Sequence, residues 1–134
     1  MDPITAIGLV ASVAQIAEHA IKLVTALNNY CHEVKEAPAR SKELRDEFAT
    51  VSHVLNALKE TLSIDSIALN VSLERSVQEF QNLLSELEPR ISQERTKGLS
   101  KFKWPFNKAE NEKFIHKIER YKATFSLALN ISQM

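Results

Sequence analysis

"MDPITAIGLVASVAQIAEHAIKL", residues 1–23, carries no charged side chain between Pro3 and Ala17, and small residues (Ala6, Gly8, Ala11, Ser12, Ala14, Ala17) are threaded among large aliphatics. How this stretch is read decides the fold. A secretory signal needs a positive segment ahead of its apolar run. Here Asp2 precedes the run and the first basic residue is Lys22, so no signal is expected. As a helix, fifteen uncharged residues span about 22 Å, short of the roughly 30 Å hydrocarbon core. Extending the span would bury Glu18, His19 and Lys22, which is costly in lipid. The expectation is a core helix. Asp2 would cap it, and Pro3 suits its first turn because the missing N–H is one no helical bond would use.

Two interleaved stripes continue from there. One is Ile7, Val10, Ala14, Ala17, Ile21, Val24 and Cys31; the other is Leu9, Val13, Ile16, Ala20, Leu23, Leu27 and Tyr30. Both keep the three-four spacing of a helical face. Up to Ala17 the helix is apolar nearly all round, so it is expected to be the most enclosed member of the fold.

Pro38 marks a second start, after which Leu44, Phe48, Val51, Leu55, Leu58 and Leu62 alternate by four and three. Residues 63–70 read as a loop that packs on the rest. A third helix carries Val77, Phe80, Leu84, Leu87 and Ile91, with Pro89 predicting a kink or an early end near Leu87. A fourth starts at Asn107, where an Asn cap and Glu110 in the first turn fit a capping box. Its stripe is Phe114, Ile118, Tyr121, Phe125 and Ala128. The expected architecture is therefore all-α: an antiparallel four-helix bundle with a long apolar N-terminal helix, its helices at 3–34, 38–62, 70–94 and 107–132. Residues 1–134 form one domain, read as the N-terminal module of a longer protein.

Composition excludes several functions. Seventeen acidic residues balance seventeen basic ones, against the net positive charge a general nucleic-acid binder needs. Two glycines are too few for a phosphate loop or a dinucleotide fingerprint. His19, His32, His53 and His116 form no metal-ligand spacing with one another or with the lone Cys31. Cys31 and His32 are helical neighbours, which points them about 100° apart. Neither catalysis, nor a metal, cofactor or small-molecule substrate, is expected.

Two stretches carry functional readings. In "ERTKGLSKFKWPF", Arg95, Lys97, Lys101 and Lys103 alternate with Phe102, Trp104 and Phe106. With Trp104 they suit anionic lipid headgroups, where cations meet phosphate and Trp sits at the boundary. The other reading is that Trp104 and Phe106 plug the end of the bundle. In the first helix, Gly8-x-x-x-Ser12 is a small-xxx-small pair, which permits close helix approach in lipid and is equally at home in a tight soluble core.

Three stretches together resemble a known family. "MDPITAIGLVASVAQIAEHAIKLVTALNNY", the junction "VKEAPARSKELRDEF" and "KFKWPFNKAENEKFIHKIERYKATFSLALN" are similar to the N-terminal HeLo-like or SesA-type domains of fungal STAND and NACHT NOD-like receptors. The resemblance implies a cell-death effector, similar in fold to the helical bundle of the mixed-lineage-kinase-like executioner of necroptosis. A downstream NTPase clusters such domains, which leave the cytoplasm for the plasma membrane and permeabilise it through the first helix. Carried to this chain, the insertion candidates are Ile4, Ile7, Gly8, Leu9, Val10, Ala11, Ser12 and Val13, with anionic lipids as partners. A rival reading is a non-lytic adaptor or oligomerisation module acting through protein–protein contacts.

Overall fold

Leucine- and phenylalanine-rich stripes at three-four spacing, with almost no glycine between them, leave helix as the economical way to bury apolar surface. A computed structural model of the chain contains the four helices: α1 Pro3–Glu33, α2 Ala39–Thr61, α3 Val71–Thr96 and α4 Lys108–Ser132. The structure describes residues 3–34, 38–61, 71–96 and 104–132, and no strand occurs among them. The expected cap at Asp2 and loop at 63–70 lie outside the described residues.

Local chemistry accounts for the helix starts. Asn107 Oδ1 accepts from the Glu110 N–H at 2.8 Å, and Glu110 Oε1 accepts from the Asn107 N–H at 3.3 Å, a reciprocal capping box. At α2, the Ser41 N–H and hydroxyl both donate to the Pro38 carbonyl, at 2.9 and 2.6 Å.

Pro89 neither ends α3 nor sets its limit; the helix runs on to Thr96. Proline removes the bond to the carbonyl four residues back, here that of Ser85. Ser85 and Pro89 are both exposed, so that carbonyl is left on the wet side of the helix. Meanwhile Leu84, Leu87 and Ile91 hold the dry side in the core.

The helices form a square in which α1 packs on α2 and α3, and α4 packs on the same two. Thus α1 and α4 take diagonal corners, and the seam between α2 and α4 is the most extensive. Along that seam the Arg40 carbonyl accepts from Asn111 Nδ2 at 3.0 Å and Glu47 faces Lys122 at 4.0 Å, so α2 and α4 ascend together. Helices α3 and α4 run in opposite senses, since Arg90 meets Glu110 while Phe80 stacks edge-on against Tyr121 and Phe125. Phe48 of α2 closes this aromatic cluster, 6.4 Å from Phe80.

The enclosure expected of α1 is halved. Leu9, Val13, Ile16, Ala20, Leu23, Leu27 and Tyr30 are all buried. The other stripe is only partly covered: Ala17 is buried, but Ile7 is 56% exposed and Ile21 47%, with Val10, Ala14 and Val24 at the border. A corner helix with two neighbours offers them one face, whatever its composition.

Candidate functional site

In the first half of α1, the period of the helix sorts the insertion candidates into three groups. Leu9 and Val13 belong to the core. Ile7, Gly8 and Ala11 face outward, and Val10 and Ser12 lie between. Ile4 is on the helix, and its side chain lies outside the described residues. The Ser12 hydroxyl donates to the Gly8 carbonyl at 2.9 Å, so it turns back on its own helix. Apart from its own helix backbone, a Cβ built on Gly8 would have no atom of the described residues within 4 Å, so no described neighbour requires glycine there.

Charge returns beyond Ala17. Glu18 and Lys22 form an exposed pair one turn apart, at 4.0 Å. His19 Nε2 pairs with Glu88 Oε2, tying α1 to α3 across the surface.

The basic-aromatic stretch divides as sharply. Trp104 is only 9% exposed and Phe106 is buried, so both plug the end of the bundle. Trp104 stacks 5.3 Å from Tyr30 and from Phe106, and Phe106 lies 5.1 Å from Phe114. The indole N–H donates to Asn111 Oδ1 at 3.1 Å, and the other end of that amide donates to the Arg40 carbonyl. With its polar tip already paired, Trp104 is not a headgroup ligand in this conformation. Arg95 lies on α3, its side chain outside the described residues. Lys97, Lys101 and Lys103 lie outside them altogether.

Two residues that sequence reasoning passed over hold this plug. The Arg90 guanidinium sits 4.4 Å above the Phe106 ring, donates to the Pro105 carbonyl at 3.0 Å and pairs with Glu110 at 3.1 Å. Arg90, and then the Asn107 N–H, hold the Glu110 carboxyl below the usual carboxylate range. Asn111 is buried, with both ends of its amide hydrogen-bonded. The available signal was its place among the apolar positions of α4, four residues after its cap.

Among the described residues, no group of three or more His, Cys, Asp or Glu side chains gathers to hold a metal. Cys31 is half-buried, with its sulfur 3.8 Å from the Ser41 hydroxyl. Burial, reinforced by the Glu79 charge, raises the Tyr121 phenol above its ordinary value, and its ring packs edge-on against Phe80. The surface that stands out chemically is the uncharged outer half of α1.

An all-helical bundle with an apolar, half-covered first helix is the class these observations define. The family model described as "Pigment biosynthesis cluster protein PigL N-terminal" matches residues 1–134, and the chain belongs to that family. No curated protein matches the chain, and neither does any solved structure.

Proposed function

We propose that this domain is a signalling and cell-death effector module of the HeLo-like kind, standing at the N-terminus of a receptor and clustered by the NTPase that follows it. In the cytoplasm α1 lies on the bundle. On clustering at the plasma membrane it exchanges α2 and α3 for lipid and permeabilises the bilayer. The basic stretch Arg95–Lys103 makes the first contact with anionic headgroups, through its cations rather than through Trp104.

The observation that carries this reading is the disproportion between the apolarity of α1 and its burial. By length and composition the helix Ile7–Glu33 could cross a membrane: an 18-residue window of it has a mean hydropathy of 1.4, and 33% of that window is buried. The exposed Ile7 and Ile21 are apolar surface on that helix already open to solvent, which lipid could cover. The family's description as an N-terminal region supports the modular part of the reading.

The test is dye release from phosphatidylserine-containing liposomes by the domain clustered on an oligomeric scaffold. Ala11 is exposed, so Ala11→Glu keeps the fold and places a charge on the lipid-facing run. Leakage by the parent and its loss in Ala11→Glu are expected. Equal leakage from both would remove α1 as the agent, and no leakage from the clustered parent would leave the adaptor reading.

A further inference from the structure

Helix α1 is held to its neighbours chiefly by apolar packing. Its polar side chains mostly turn back on the helix: the Ser12 and Thr25 hydroxyls donate to the carbonyls of Gly8 and Ile21, and Lys22 pairs with Glu18. Between residues 7 and 27, among the described residues, the His19–Glu88 pair is the one hydrogen bond or ion pair that reaches another helix. It crosses the seam with α3, the thinner of the two seams that α1 makes. It also stands just past the end of the charge-free run at residues 3–17.

The surroundings give this imidazole no other charged partner. Gln15, Glu18, Lys22 and Glu88 line a shallow depression with it, and Glu18 and Lys22 offset each other there. On α3, Arg90 is turned to Glu110 and Phe106, while Glu86 lies with Lys117 in a cleft on the α4 side. Helix α2 contributes nothing to this lining. Its His53 shares a groove with Ile21, which points about 200° away from His19.

We propose that His19 and Glu88 form a proton-set latch on α1: the protonated pair holds the helix against α3, and loss of the proton as pH rises lets the helix lift. A neutral imidazole can only hydrogen-bond the carboxylate, whereas an imidazolium adds the attraction of opposite charges. Histidine makes that change around neutrality, where carboxylates stay charged. The grip is therefore tightest in mild acid and weakest above neutrality. The latch itself needs no lipid; its use in regulating permeabilisation rests on the membrane reading.

The test is amide hydrogen exchange of the lipid-free chain, resolved by NMR, with parent and variant compared at the same pH so that intrinsic rates cancel. Glu88→Gln removes the charge at an exposed site and keeps a polar side chain. At about pH 6, exchange at residues 13–23 is expected to be about two- to fivefold faster in Glu88→Gln than in the parent, with residues 114–125 of α4 unchanged. At about pH 7.5 the difference should shrink toward none. His19→Gln, which cannot take the proton, should give the same pattern. No difference in mild acid, a difference that is the same at both pH values, or acceleration shared equally by α1 and α4 would each overturn the inference. Were exchange to shift as expected while no scaffold-clustered form releases dye at either pH, the latch would stand and the membrane reading would fall.

Discussion

Gly8 is an unusual residue for the interior of a long helix. Glycine there costs about 0.5–1 kcal/mol relative to alanine, because it surrenders more backbone freedom on folding. The usual excuse is a close neighbour, and Gly8 has none among the described residues. Gly8→Ala is therefore expected to raise the thermal midpoint by a few degrees. Under the membrane reading it should also weaken leakage, because close helix approach in lipid would lose its smallest member. A stabilised variant with undiminished leakage would show that the glycine serves neither state. The two stripes of α1 differ in the same currency. Leu27→Ala, at a fully buried site, should cost about 2–5 kcal/mol, whereas the same change at the exposed Ile7 should fall within about 0.5 kcal/mol. Chemical denaturation of both variants checks the pair, and equal losses would contradict the assigned orientation of the helix.

At the scale of elements, the plug joins three helices through one guanidinium and one amide. Glu110 titrates lower in the folded domain than in the unfolded chain. Its stabilising contribution is thus complete above the unfolded value and lost as pH falls through the folded one. Denaturation midpoints of the parent and Glu110→Gln should accordingly converge on acidification, and a constant gap would show that the Arg90 pairing does not carry the effect. Pro89 provides a test of the opposite sign. It sits exposed within a continuous helix, so Pro89→Ala should restore one backbone bond and stabilise by up to about 3 kcal/mol, read as a higher urea midpoint.

These elements also show what was legible in advance. Stripes and caps are local, so the four helices and the Asn107–Glu110 box could be read from spacing alone, whereas Pro89 suggests an end near Leu87 that the helix does not have. Periodicity could not say which of the two stripes of α1 would be covered, because that depends on how many neighbours a corner helix has. Nor could it decide between lipid and plug for Trp104. Its partners, Tyr30 on α1 and Asn111 on α4, come from two other elements, and Asn111 is itself held by the Arg40 carbonyl of α2, so their convergence is a property of the assembled square.

For the whole molecule, the order of corners matters more than the number of helices. Helix α4 is flanked by α2 and α3, and the rings of its aromatic cluster, Phe48, Phe80, Tyr121 and Phe125, come from α2, α3 and α4. If the first helix can leave as the proposed function requires, the other three must stand without it. Residues 38–134, produced alone, should therefore keep a helical circular-dichroism spectrum while binding a hydrophobic dye along the strip that Leu9, Val13, Ile16 and Leu23 vacate. Loss of helicity would mean that α1 is integral after all. A standing three-helix remainder would give the domain two stable shapes separated by one helix, so that the departure of α1 is a change of tenant rather than a collapse.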